Sequence, residues 1–83
     1  MPTVDRIDGF RVVIYQNDHR PAHVHVIGPG VASIWDLHCP DGPLELRENY
    51  GFSRAEIARI KTALNARLAV LCEQWRKIHD TPR

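Results

Sequence analysis

Between Ser53 and Thr81 the chain contains no glycine and no proline. In a chain of 83 residues, an uninterrupted stretch of that length leaves few folds open. Ile57, Ile60, Leu64, Leu68, Leu71, Trp75 and Ile78 recur there at steps of three and four. That spacing lines apolar side chains along one stripe of an α-helix. The start is marked as well. Ser53 stands where it can cap the amide of Glu56, Glu56 can bond back to the amide of Ser53, and Phe52 and Ile57 occupy the two positions of a hydrophobic staple. Lys77 and His79 suit the negative end of the helix dipole. The pattern predicts one continuous helix over 53–79, about 26 residues and roughly 39 Å long. A domain of this size is only about 30 Å across. The end around Leu71, Trp75 and Ile78 is therefore expected to overhang the sheet or to pack on another chain. Phe52 to Ile60 also resembles the opening of a helix-turn-helix element, but that motif needs a second helix after a short turn, and no breaker follows.

Ahead of the helix the pattern has a period of two. Phe10-Arg11-Val12-Val13-Ile14-Tyr15 is rich in β-branched and aromatic residues and predicts a strand. His23 to Ile27 and Val31 to Trp35 predict two more, separated by Gly28-Pro29-Gly30, which is short enough to close a hairpin. Thr3 to Arg6 suits a short edge strand before the Asp8-Gly9 turn, and Leu44-Glu45-Leu46 a short late one. Loops this short exclude parallel crossovers. The expected class is α+β: a three- to four-stranded antiparallel meander with one long C-terminal helix packed on one face. The chain is expected to be a single domain, 1–83, with 1–52 as the sheet region and 80–83 as a frayed tail.

The stretch Asn17-Asp18-His19-Arg20-Pro21-Ala22-His23-Val24-His25-Val26 concentrates the chemistry. Asn17 and Asp18 form turns readily, and Pro21 biases Arg20 toward extended backbone. Alternation then puts Val24 and Val26 toward the core and His23 and His25 together on the other face. His19, in the turn before them, can fold back over that face. Asp18, His19, His23 and His25 make a plausible ligand set for a divalent metal such as zinc. Equally, His19, His23 and His25 can act as acid and base near neutral pH, with Arg11 and Arg20 holding a phosphate. That combination suits RNA, whose 2′-hydroxyl is an internal nucleophile. A third reading is a purely structural polar face.

Charge is distributed unevenly. Residues 1–52 carry four arginines against seven acids, net −3, and residues 53–83 carry seven Lys/Arg against three acids, net +4. Arg54, Arg59, Lys61 and Arg67 give the helix a basic side, which suits an acidic partner, RNA or DNA. Overall charge of +1 argues against tight nonspecific nucleic-acid binding, which needs many phosphate contacts. Tyr15, Trp35, Tyr50 and Arg11 could form a surface on which bases stack. Cys39 and Cys72 lie far apart without a Cys-x-x-Cys spacing. They are expected to be reduced thiols of a cytoplasmic protein. No apolar run approaches the ~20 residues that span a bilayer, and Met1-Pro2-Thr3-Val4-Asp5 shows no charged-then-apolar pattern, so no signal sequence is expected there.

Met1-Pro2-Thr3-Val4, Ile7-Asp8-Gly9-Phe10, the Asn17–Val26 segment and Glu48-Asn49-Tyr50-Gly51-Phe52-Ser53 together resemble the bacterial DUF4160 family. Ala22 stands where a second proline is common in that family, and the loop from Asp36 to Gly42 looks longer than usual. The resemblance implies that Asn17–Val26 is the characteristic segment, matched at Asp18, His19, His23 and His25. It further implies a component of a paired, toxin–antitoxin-like gene cassette, often beside a DUF2442-like protein. The overhanging helix end around Leu71, Trp75 and Ile78 is what suits a homodimer, or a heterodimer with that cassette partner. The role expected within such a pair is that of a protein- or nucleic-acid-binding module. The alternative is a small ribonuclease-type toxin, His-based or metal-dependent.

Overall fold

Asp8 and Gly9 both have positive φ, at 50° and 83°, which is the backbone a two-residue hairpin turn of the primed type requires. They join β1 (Thr3–Ile7) to β2 (Phe10–Val13). β3 (His23–Gly28) and β4 (Val31–Asp36) form the second hairpin across Pro29-Gly30, with Gly28 opposite Val31. β5 (Glu45–Tyr50) closes a five-stranded antiparallel sheet in the order β1-β2-β3-β4-β5. The computed structural model describes residues 3–79; the tail expected at 80–83 lies outside them.

The meander is as expected, but it has five strands rather than three or four. The difference lies mainly in β5. Its sequence, Glu-Leu-Arg-Glu-Asn-Tyr, has no apolar alternation, and all six residues are exposed. An edge strand is specified by its one paired side, and charged side chains guard the other from further pairing. At its end the Tyr50 hydroxyl donates to Glu48, and that hydrogen bond with the negative charge beside it raises the phenol above its usual value. In a Tyr15→Phe background, Glu48→Gln is expected to bring the phenolate transition back down, as read by ultraviolet absorbance during a titration.

Gly51 turns the chain out of β5 with φ 96°. A Cβ there would sit 2.9 Å from Val31 Cγ1, so only glycine fits. Asn49 then clamps the next step: its side chain accepts from Phe52 N–H at 3.1 Å and donates to Phe52 C=O at 3.1 Å. α1 (Arg54–Ala66) starts on the complete capping box, Glu56 N–H to Ser53 Oγ at 3.1 Å and Ser53 N–H to Glu56 Oε1 at 2.8 Å.

The helical region is two helices, not one. α1 stops at Arg67 (φ −112°, ψ 12°), whose N–H turns back to Leu64 C=O at 3.0 Å, and α2 (Leu68–His79) begins at once. Nothing in the local sequence breaks the helix. Arg67 is held from outside by Asp5, whose Oδ2 lies 2.8 Å from its Nε, while its Nη1 turns back onto α1 and donates to Ala63 C=O at 3.0 Å. The break lets Leu68, Leu71 and Trp75 enter the same core as Ile60 and Leu64, where a straight rod would have left the sheet. Leu71 is 1% exposed and Trp75 6%. The expectation that these two form a partner surface is therefore corrected: they are buried within their own chain, while Ile78 is half-buried against the same cluster.

One side of the sheet carries Val12, Val24, Val26 and Trp35, which join the helices in that core. Trp35 is 1% exposed and donates Nε1–H to Ser33 Oγ at 2.9 Å, so it is no part of a base-stacking surface. Tyr15 and Tyr50 are exposed.

Cys39 and Cys72 form a disulfide across 33 residues. The expectation of two separate thiols is overturned. Burial of Leu37 and Leu44 at either end of the loop after β4 brings that loop onto α2, where a Cβ on Gly42 would already meet Leu68 at 3.0 Å. Such a pairing is tertiary and leaves no trace in cysteine spacing.

A carboxylate-bridged histidine pair

Tyr15 N–H donates to Asp18 Oδ2 at 3.0 Å, and Asp18 N–H donates to Tyr15 C=O at 3.1 Å. These two bonds fold the residues after β2 into a tight turn and fix the direction of the Asp18 carboxylate. β3 then supplies the imidazoles. Alternation puts His23 and His25 on the side of the sheet opposite Val24 and Val26, as the sequence predicts. Across the ladders His25 stands between Val13 and Ile34, and His23 faces Asp36.

The carboxylate meets both rings. Asp18 Oδ2 and Oδ1 lie 3.2 and 3.3 Å from His25 Nε2, and Oδ1 lies 3.5 Å from His23 Nε2. The group is largely shielded: the side chains of Asp18, His23 and His25 are 13%, 7% and 20% exposed. The ring of His23 is oriented on three sides. Its Nδ1 lies 2.8 Å from Pro21 C=O, and its faces meet His25 and Trp75, each at a centroid distance of 5.2 Å. His23 is the first residue of β3, at the end of the sheet, and the C-terminal half of α2 reaches it there. Trp75 in turn stacks on His79 at 3.8 Å. Tyr15 meets the edge of His25 at 4.9 Å.

Beside the group is a surface cleft of about 560 Å³, lined by Asn17, Asp18, His19, Arg20, His23, Asp36 and Arg47 among others. His19 is exposed on this cleft and is not drawn into the carboxylate group. Arg20 lines the cleft; Arg11 does not. Arg11 is opposite Ile27 in the ladder, with Nη1 3.5 Å from Thr3 Oγ1. The two arginines expected to share a phosphate are thus apart. Asp36 and Arg47, which no motif pointed to, are brought to the cleft by the β4–β5 pairing and bond each other there. On α1, Arg54, Arg59 and Lys61 are exposed, and Arg59 reaches Asp8 with Nε 3.4 Å from its carboxylate. No helix among the described residues is long and apolar enough to cross a membrane.

These features define an α+β domain with a turn-borne carboxylate set against two histidines of a central strand. A model of the family described as a domain of unknown function, DUF4160, matches residues 9–76. The chain belongs to that family. No curated protein and no solved structure matches it.

Proposed function

We propose that this chain is a small ribonuclease-type enzyme, the active member of a paired gene cassette. One observation carries the reading: Asp18 reaches the Nε2 atoms of both His23 and His25 beside a cleft that also holds His19 and Arg20. In the step envisaged, a base at this group takes the proton of an RNA 2′-hydroxyl. The 2′-oxygen bonds to phosphorus, the P–O5′ bond breaks, and His19 gives a proton to the leaving O5′. The products are a 2′,3′-cyclic phosphate and a 5′-hydroxyl. Arg20 is suited to hold the phosphate. A cytoplasmic location would suit such an activity, since RNA is abundant there.

A second reading, a binding module, is favoured by the exposed basic residues Arg54 and Lys61 of α1. They suit an acidic face on a DUF2442-like partner, on a second copy of this chain, or on nucleic acid. Expression in a host lacking the neighbouring gene separates the two. The enzyme reading expects growth arrest and shortened RNA with the wild type, and neither with His25→Ala or His19→Ala. Equal growth of all three strains, together with capture of the cassette partner lost in Arg54→Glu/Lys61→Glu, would establish the module instead.

A further inference from the structure

We propose that Asp18, His23 and His25 bind a zinc ion through one carboxylate oxygen and two imidazole Nε2 atoms. The proposal rests on and deepens the RNA-cleaving reading of the same group, yet it stands on its own geometry.

The first argument is the hydrogen-bond roles. Pro21 C=O can only accept, so the contact at 2.8 Å requires His23 Nδ1 to carry the proton. In the neutral ring Nε2 is then an acceptor, and it faces another acceptor, the Asp18 carboxylate. A cation between them resolves that opposition. A backbone carbonyl on the far ring nitrogen is also how metal-ligating histidines are commonly oriented. Asp18 has its own outer support in the amide of Tyr15.

The second argument is distance. Charge-assisted bonds between imidazolium and carboxylate run about 2.7–2.9 Å. The separations here are 3.2 and 3.3 Å to His25 and 3.5 Å to His23. Ligand atoms placed tetrahedrally about 2.0–2.1 Å from zinc stand roughly 3.3 Å from one another. The spacing therefore suits donors around a metal better than a closed ion pair. All three donor atoms lie within 4.8 Å of one another.

The third argument is contrast. Asp36, His38 and Glu45 also converge, but His38 and Glu45 are 44% and 67% exposed and Asp36 is engaged by Arg47. That set lies at the surface with His38 turned to Glu45 and Asp36 to Arg47, whereas His23 and His25 are held by Trp75, Tyr15 and each other. Three protein ligands leave a fourth position for water, the arrangement of catalytic rather than structural zinc. A water so bound ionises near neutrality and would be the base of the step above.

The test uses tag-free full-length protein, stripped with chelator, and zinc alone as the probe in calorimetry. Cobalt(II) absorption reports the geometry. The expected result is one zinc per chain, with tetrahedral cobalt bands. Asp18→Asn and His25→Ala are each expected to weaken binding at least ~10–100-fold, and His38→Ala to leave it unchanged. His25 and Asp18 are chosen because they are less buried than His23, and circular dichroism checks that the variants fold. Absence of saturable binding, binding indifferent to Asp18→Asn and His25→Ala, or loss confined to His38→Ala would each overturn the site. The enzyme reading fails differently. Zinc bound without RNA cleavage removes the activity and keeps the metal, while cleavage undiminished in excess chelator removes the metal and keeps the activity.

Discussion

Trp75→Ala is expected to destabilise the protein by about 3–5 kcal/mol, the usual loss when a buried tryptophan is truncated. A chain of 83 residues has total stability of roughly 4–12 kcal/mol, so the variant should be close to unfolding at room temperature. The size of the effect follows from how much one ring does. Trp75 is 6% exposed, joins the main core, faces His23 at 5.2 Å and stacks on His79 at 3.8 Å. Removing it opens a void under the end of the sheet and takes away one wall of the His23 ring. Trp75→Phe keeps an aromatic wall and should lose less. Urea unfolding monitored by circular dichroism gives both numbers. A midpoint for Trp75→Ala within surface-mutation range, about 0.5 kcal/mol of wild type, would mean that Trp75 does not close this chain's own core. It would return the tryptophan to the role its sequence position first suggests, a contact with another chain.

Local signals were legible wherever local chemistry decides the outcome. The capping box at Ser53 and Glu56, the Asp8-Gly9 hairpin and the shared side of His23 and His25 all follow from interactions spanning at most four residues. The break at Arg67 does not. Arginine is a good helix former, and the helix yields there because Asp5 holds the guanidinium while Leu68 packs toward Gly42. β5 is faint in the sequence for the opposite reason: an exposed edge strand has no buried face to leave a period of two. At the site, the turn chemistry of Asp18 and the alternation of β3 placed three of the four expected ligands together. Spacing alone groups His19 with them, and the turn leaves it on the cleft instead. Asp36 and Arg47 reach the cleft only through strand register, which depends on pairings that single-sequence spacing does not encode.

Breaking the Cys39–Cys72 disulfide is expected to cost roughly 3–4 kcal/mol, the chain-entropy value for a loop of 33 residues. Cys39→Ser and treatment with reductant should give the same loss. The consequence for the site follows from position along α2. Cys72 lies one turn before Trp75, and the bond fastens the loop after β4 to that turn. Freed from it, α2 keeps the burial of Leu68 and Leu71 but loses the covalent tie nearest the ring that backs His23. Zinc affinity should therefore fall along with stability, and both should recover on reoxidation. Compartment matters here, because a reducing cytosol keeps thiols apart. A cytoplasmic enzyme would work in the looser reduced form, and an oxidising setting would hold the tighter one. Unfolding midpoints compared with and without reductant, with free thiols counted by alkylation, decide the matter. Coincident midpoints for disulfide-bonded protein and for reduced, fully alkylated protein would show that α2 is held by its apolar face alone. Two free thiols per chain in oxidised protein would show that the bond does not form in solution.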